Sequence, residues 1–430
     1  MSKFRGYIII AVLGTITAFL WLLSKPQLSF ITDYPLLALS QICGLIGCVL
    51  MATALLLSTR ITFVEDLFGG LDKVYRIHHL IGVFAFSLIL MHPTAMIIQS
   101  LPNVQFALIY AIPGPYLIHN FGILAIYSLI IPFIFILLIK IPYNIWRYTH
   151  KLLGVSFLLA SVHVYFMPSD VAVFMPLRFW ILGFIAAGLL SAIYTLIFYS
   201  KMGPRSVYLV EKTDITHEVI NVYFRPAGRK IKFTPGQFGY FSFRKSSIGK
   251  EAHPFSFSTS PDEDILRISM KVLGDFTKSA ANILKDDVVA IYGPYGRFGK
   301  IYADPTPKNL IWIAGGIGVT PFLSMLRQES AHPSNHKITF FYSYGLQEEG
   351  VFVEEIENIC QKLPNVKFVK WCTKDLGFLT AEKISEGMEN ISSHYVQVCG
   401  PEKMMFTMKD QFNALGITDD RIFFENFSMK

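Results

Sequence analysis

Six apolar blocks, each near the roughly 20 residues that cross a bilayer as a helix, follow one another in the first 200 residues. They lie near 7–24, 36–59, 78–100, 115–140, 149–166 and 178–200, the fifth being the shortest. No other feature restricts the fold as much. Inside hydrocarbon every backbone amide and carbonyl must be satisfied within the protein, so blocks of this kind read as packed membrane helices. The first block follows Lys3 and Arg5 as a secretory signal would, but "SKPQLS" after it lacks a small-residue cleavage site, and it reads as a span. Residues 203–430 are different, with ordinary globular composition. The chain as a whole is 52% hydrophobic and only 16% charged, low for a soluble protein. A membrane half followed by a soluble half is the organisation expected.

Basic residues give the orientation. With the N-terminus inside, the cytoplasmic segments carry Lys3, Arg5, Arg60, Lys73, Arg76, Lys140, Arg147, Lys151, Lys201 and Arg205, against Lys25 and Arg178 outside. Such asymmetry places the soluble half in the cytoplasm. Five scattered cysteines (Cys43, Cys48, Cys360, Cys372, Cys399) form neither a disulfide framework nor a zinc spacing. The net charge of +7 fits contact with an anionic inner leaflet, and no basic, aromatic-interleaved stripe points to nucleic acid. Membrane lipid is the expected partner.

Two apolar runs share an unusual pattern. "YRIHHLIGVFAFSLILMH" (75–92) and "YTHKLLGVSFLLASVH" (148–163) each hold a histidine, a glycine four residues later (Gly82, Gly154) and a second histidine at the far end. Imidazoles in a bilayer are costly and mark function by default. His78 and His150 fall near the cytoplasmic ends of their spans, and His92 and His163 about 20 Å further along the axis. Two helices that each present an inner and an outer imidazole can clamp two metal-centred planar groups, and histidine is a common axial ligand of haem iron. A separation of fourteen residues returns to nearly the same helix face. Thirteen, in the second run, leaves an offset of roughly 140° that tilt or a local irregularity must absorb. His79 competes with His78, although overlaying "HHLIG" on "HKLLG" favours His78. His119, at the outer end of the fourth block, has no partner histidine and reads as a polar lining residue or a neighbour of an external acceptor.

In the soluble half, short alternating runs between 206 and 300 predict an antiparallel barrel. Alternating strand and helix patterns beyond it predict an open parallel sheet covered on both faces. Three stretches suit chemistry. "HPFSFSTS" (253–260) places hydroxyls and aromatics on a strand that could face a flavin. "KVLGDFTKSA" opens a helix at Gly274–Thr277, whose amides favour a pyrophosphate. "IAGGIGVTPFLSML" runs a buried strand through a glycine turn into a helix at Thr320 and Pro321, which suits a dinucleotide phosphate.

The order of these pieces, with "GPYG" (293–296) and "CGP" (399–401), resembles the ferredoxin–NADP reductase superfamily. Residues 60–430 together resemble the ferric reductase and NADPH oxidase family, in particular its compact bacterial members. The resemblance implies a six-span α-helical domain with two b-type haems over 1–202, an antiparallel β-barrel FAD domain over 203–304, and an α/β NAD(P) domain over 305–430. It implies that His253, Pro254, Phe255 and Ser256 line FAD, with Lys271, Gly274 and Thr277 at its phosphates. Gly315, Gly316, Gly318 and Thr320 would hold the nicotinamide dinucleotide, and Cys399, Gly400 and Pro401 would border the nicotinamide. His78, His92, His150 and His163 would be the haem ligands. Arg76, Arg147 and Lys151 would neutralise propionates or dock the barrel, or serve as orientation charges alone.

Two departures stand out. "YSYGLQEEG" offers Gly345, Glu348 and Glu349 where the family carries a basic residue for the 2′-phosphate of NADPH, so NADH stays open beside NADPH. The tail "FFENFSMK" leaves Phe427 as the aromatic that would cover the flavin. The expected activity is transmembrane electron transfer from cytosolic NAD(P)H to an outer acceptor in a bacterial plasma membrane, both termini being cytoplasmic. Oxygen, giving superoxide, is the first reading of the acceptor and a ferric chelate the second. The uncharged outer loop "LPNVQFALIYAIPGPY" favours a small neutral acceptor.

Overall fold

The computed structural model describes residues 4–137, 139, 143–198, 205–244, 248 and 251–424. The chain divides into two compact units, Met1–Gly203 and Pro204–Lys430.

The first unit is helical. Its main elements are α1 (Arg5–Leu23), α2 (Pro35–Leu57), α3 (Leu71–Ser100), α4 (Leu117–Leu137), α5 (Tyr143–His150), α6 (Leu152–Phe166) and α7 (Met175–Ile193). Among the described residues, five helical segments are long and apolar enough to cross a membrane: Gly6–Leu23, Pro35–Leu57, Lys73–Ser100, Leu117–Ile134 and Met175–Ile197. The fifth expected block, 149–166, does not form a helix of that length. Its helix α6 has 15 residues, about 22 Å, against a hydrocarbon core of about 30 Å. The break lies at Lys151. There the Lys151 amide donates to the Tyr148 carbonyl (3.2 Å) and the Gly154 amide to the Lys151 carbonyl (3.1 Å). Both are tightened i→i+3 bonds, which wind the chain about 20° further per residue than an α-helix does.

Polar side chains tie α1 to the rest of this unit. Trp180 Nε1 donates to Thr17 Oγ1 (2.9 Å) and Trp21 Nε1 to Gln41 Oε1 (3.1 Å). Lys25, whose side chain is 2% exposed, bonds Gln41 (2.6 Å) and ion-pairs with Asp170 (2.5 Å). A buried ammonium without such partners would be too costly to keep charged.

The second unit holds two sheets. The antiparallel one contains β1 (Arg205–Thr216), β2 (Val219–Pro226), β3 (Phe238–Phe243), β4 (Ala252–Ser256), β5 (Leu266–Lys271) and β6 (Val288–Tyr295), in the order β4-β3-β6-β1-β2-β5. Inward residues at alternate positions, such as Tyr208 and Val210, Val222 and Phe224, Phe241 and Phe243, fill one core, as the period of two requires. Helix α8 (Asp275–Ser279) follows β5.

The parallel sheet contains β7 (Asn309–Gly315), β8 (Lys337–Tyr344), β9 (Val366–Cys372), β10 (Tyr395–Cys399) and β11 (Ile422–Phe424), in the order β11-β10-β7-β8-β9. It carries α9 (Thr320–Ala331), α10 (Val353–Cys360) and α11 (Glu402–Ala414). Six of the seven residues of β7 are buried, because helices cover both faces. Leu310, Trp312 and Ala314 pack with Phe322 and Leu326 of α9. Ile311 and Ile313 turn the other way, toward Met405, Met408 and Phe412 of α11.

An ionic cluster clamps barrel to α/β lobe. Arg267 on β5, 4% exposed, donates two hydrogen bonds to Glu355 of α10 at 2.8 and 2.9 Å. Arg327 of α9 reaches Glu355 (2.9 Å) and Glu263 (3.2 Å). Ser324 Oγ donates to the Thr259 carbonyl (2.7 Å), and Ser260 Oγ to Gln328 Oε1 (2.6 Å).

Candidate functional site

In the helical unit the four expected histidines meet in two couples. The rings of His78 and His150 lie 6.1 Å apart, and those of His92 and His163 lie 6.4 Å apart. His78 and His92 are fourteen residues apart on the continuous helix α3. His150 ends α5 and His163 lies on α6, so the tightened turn at Lys151 falls between them. It adds rotation in the direction that a spacing of thirteen needs. His79 is exposed beside the half-buried His78, so His78 is the residue that faces His150. His119 lies with Tyr110 and Tyr116, ring centroids 5.8 and 5.7 Å away, and joins neither couple.

Neighbouring backbone fixes the rings of His78, His92 and His163. His78 Nδ1–H donates to the Ala54 carbonyl (2.9 Å), His92 Nδ1–H to Ser40 (2.9 Å) and His163 Nδ1–H to Ile118 (2.8 Å). A carbonyl can only accept, so Nδ1 carries the proton in each and Nε2 keeps its lone pair, the form a metal requires. Two glycines on the opposing helices allow these approaches. A Cβ at Gly44 would stand 2.9 Å from His92 Nδ1, and one at Gly122 would stand 3.0 Å from His163 Nδ1. Each lies four residues beyond the accepting carbonyl, where a helical side chain, leaning toward the N-terminus, would cover that oxygen. Gly82 and Gly154, the glycines that the sequence pattern picks out, do not touch these rings. A Cβ at Gly82 meets nothing within 4 Å, and one at Gly154 meets Leu196.

This donor set fits one class of metal. With metal–nitrogen bonds of about 2 Å, an imidazole–metal–imidazole arrangement places the two rings about 6 Å apart. Among the described residues no cluster of three or more His, Cys, Asp or Glu side chains could hold a bare ion. Two facing imidazoles suit an iron whose other ligands come from a planar macrocycle.

In the second unit, β7 lies at the point where the chain, after passing to β8 and β9, returns on the other side as β10. Open parallel sheets bind ligands at such a switch point, beyond the carboxyl ends of the strands. There "AGGIG" and "CGP", some eighty residues apart in sequence, pack backbone against backbone. Ala314 pairs with Cys399. A Cβ on Gly318 would lie 2.3 Å from the Cys399 carbonyl oxygen, and one on Gly400 would lie 3.1 Å from Gly315 Cα. Gly316 has φ +52°, and a Cβ there meets nothing within 4 Å, so its surface is open. Thr320, with Pro321 after it, starts α9. Cys399 is 2% exposed, a packed strand end.

The residues expected to line a flavin lie on β4, which among the described residues pairs with β3 alone. His253 stacks on Phe276 (3.8 Å, 28°), and Phe255, two residues on along the same face, lies 6.0 Å from that ring. Pro254 and Ser256 point the other way. Ser258 and Ser260, in the same "HPFSFSTS" stretch, are buried; Ser258 pairs with Ser269 inside the barrel (3.5 Å) and Ser260 bonds Gln328 of the α/β lobe. Helix α8 has five residues, with Gly274 as its cap. Thr277 Oγ1 accepts the amides of Leu273 (2.9 Å) and Gly274 (3.0 Å), and a Cβ on Gly274 would meet nothing within 4 Å. Lys271 Nζ lies 3.5 Å from both Glu218 and Glu349. Glu349 also accepts the amides of Gly345 (3.0 Å) and Leu346 (3.3 Å) beyond β8. Partial burial opposes its charge, but these amides and Lys271 hold its carboxyl below the usual range. Phe427 lies outside the described residues.

Comparison with known proteins agrees with this division. Residues 43–161 match the family described as ferric reductase like transmembrane component, 205–305 an FAD-binding domain, and 312–410 an oxidoreductase NAD-binding domain. A protein of Methanocaldococcus jannaschii named "Probable dihydroorotate dehydrogenase B (NAD(+)), electron transfer subunit" is 28% identical over 193 residues, 44% of this chain and 66% of that protein. Flavohemoprotein A of Dictyostelium discoideum is 25% identical over 241 residues, 52% of this chain and 60% of that protein. This chain therefore spans less than two thirds of either relative. Among solved structures, the flavohemoglobin of Malassezia yamatoensis with bound FAD and heme aligns with a TM-score of 0.52 at 18% identity, covering 93% of this chain and 97% of that one. This is a likeness of fold. The chain thus joins, in one polypeptide, a stretch similar to a ferric reductase like transmembrane component to stretches similar to an FAD-binding domain and an oxidoreductase NAD-binding domain.

Proposed function

We propose that this protein takes two electrons from cytosolic NAD(P)H and delivers them singly to an acceptor on the outer side of the membrane, with oxygen reduced to superoxide. One NAD(P)H and two oxygen molecules give NAD(P)⁺, one proton and two superoxide ions. When bound, FAD would supply hydride acceptance and two b-type haems would supply one-electron transfer across the bilayer.

The observation that carries the reading is the pair of histidine couples, at 6.1 and 6.4 Å, about four helical turns apart along α3. His78 with His150 would hold the inner iron and His92 with His163 the outer. Ala54, Ser40 and Ile118, by accepting hydrogen bonds from Nδ1–H, keep Nε2 of His78, His92 and His163 available. In each couple both imidazoles would serve to hold the group, which would supply electron transfer. In the reductase unit Gly315, Gly316, Gly318 and Thr320 would receive the dinucleotide, with Cys399, Gly400 and Pro401 beside the nicotinamide. His253, Pro254, Phe255 and Ser256 would line FAD, Lys271, Gly274 and Thr277 would meet its phosphates, and Phe427 would cover its ring. The bias of basic residues supports cytoplasmic termini and an outer face for His92 and His163.

A second reading, ferric-chelate reductase, is supported by the family match over 43–161. It needs the same cofactors and an open cleft outside, where residues 101–116 are uncharged. Redox-difference spectra and haem counts of purified wild type, His92→Ala and His150→Ala test the electron path. Two haems are expected in the wild type, with one level lost in each variant; a wild type with one haem or none refutes it. Superoxide formed in proportion to NAD(P)H consumed and unaffected by ferric chelate supports the oxidase. Chelate-dependent turnover without superoxide supports the alternative.

A further inference from the structure

The tethered histidines are not held alike. His78 and His163 each give Nδ1–H to one backbone carbonyl. His92 gives its Nδ1–H to the Ser40 carbonyl at 2.9 Å, and the Ser40 hydroxyl stands 2.9 Å from the same nitrogen. That hydroxyl has one proton, which it donates to the His92 carbonyl at 2.9 Å. Its oxygen therefore faces Nδ1 as an acceptor, and a single ring N–H is shared between two oxygens of one residue. Ser40 is 0% exposed, so water does not compete for these bonds. The surroundings hold the arrangement in place. Gly44 leaves room for the ring, and the neighbouring Gln41 is pinned by Trp21 Nε1 (3.1 Å) and Lys25 Nζ (2.6 Å).

We propose that Ser40 is a positioning residue that sets the His92 level electronically apart from the His78 level. A ring N–H engaged by two acceptors in a dry site shifts electron density toward Nε2 and makes it a stronger donor. A stronger donor stabilises the oxidised, more positive iron and lowers its reduction potential. An iron poised lower gives its electron more readily to a weak one-electron acceptor such as oxygen. The proposal rests on the reading of His92 as an axial ligand.

The test is an optical redox titration of the purified full-length protein as wild type, Ser40→Ala and Ser40→Thr, with haem counted in each. Wild type is expected to hold two haems. Ser40→Ala is expected to keep both, to move one midpoint to more positive potential and to leave the other where it was, while Ser40→Thr, which retains a hydroxyl, returns the shifted midpoint toward wild type. Unchanged midpoints in Ser40→Ala with both haems present overturn the proposal and leave the ligand assignment standing, as does an equal shift of both. If Ser40→Ala loses a haem, Ser40→Cys makes the comparison, since a thiol is a weaker acceptor; the same positive shift supports the proposal and an unmoved midpoint overturns it. A wild type with fewer than two haems overturns the ligand reading and the proposal together.

Discussion

A Cβ on Gly44 would stand 2.9 Å from Nδ1 of His92, closer than non-bonded carbon and nitrogen tolerate. On α3, His78 and His92 are fourteen residues apart, and on α2 the carbonyls that accept their Nδ1–H bonds, Ala54 and Ser40, have the same spacing in the opposite sense. The two helices thus run antiparallel in a register that serves both histidines. Gly44→Ala is expected to displace His92 at a cost of about 1–3 kcal/mol and to lower haem content toward one per chain. Gly122→Ala acts from the other side of the same level through His163. Gly14→Ala, where a Cβ meets nothing within 4 Å, should leave haem content unchanged. Haem-to-protein ratios of the three variants check this.

Gly318 meets the Cys399 carbonyl in the same intolerant way, but the neighbour is backbone. Gly318→Ala, with its Cβ 2.3 Å from that oxygen, must push the turn after β7 away from β10. The expected result is a KM for NAD(P)H raised tenfold or more, ~1.4 kcal/mol or above, with flavin content retained. Steady-state kinetics beside flavin absorbance measure both.

The clamp between the lobes depends on charge. Arg267→Ala leaves Glu355 without its bidentate partner and is expected to cost about 3–5 kcal/mol, read as a lower unfolding midpoint of the full chain in detergent. Burial opposes the Glu355 charge, but its bonds to Arg267 and Arg327 prevail and depress its carboxyl pKa from 4.5. A depressed carboxyl contributes stability that is fully present above its unfolded value and is lost as pH falls through the folded one. Wild type should therefore lose stability below about pH 4.5, and Arg267→Ala should show a flatter acid limb in melts taken across that range.

Glu349 puts a carboxylate just beyond β8, bound to the Gly345 and Leu346 amides. If the adenosine end of the dinucleotide lies there, Glu349→Gln should raise kcat/KM for NADPH relative to NADH by about tenfold, ~1.4 kcal/mol. An unchanged ratio places that end of the nucleotide elsewhere.

The sequence by itself determined the division into an apolar helical half and a second half, the two sheet types and the four histidines that meet in couples. Those signals are local or periodic: runs of apolar residues, alternation, glycine turns and a repeated His-to-His interval. It pointed to His78 over His79 by overlay alone, and the burial of one ring and exposure of the other agree. It left the rotation problem of the second pair open, because a one-residue break at Lys151 depends on which carbonyl each amide finds.

Only the tertiary structure decided which glycines matter to the histidines. Gly44 and Gly122 lie on helices that carry none of the four, and nothing in α2 or α4 read alone marks a ring from another helix as their neighbour. The same holds for Ser40, for the backbone contact of Gly318 with Cys399 and for the pairing of Arg267 with Glu355. Each is a contact between segments distant in the chain, and its geometry exists only once helix register and strand order have brought them together.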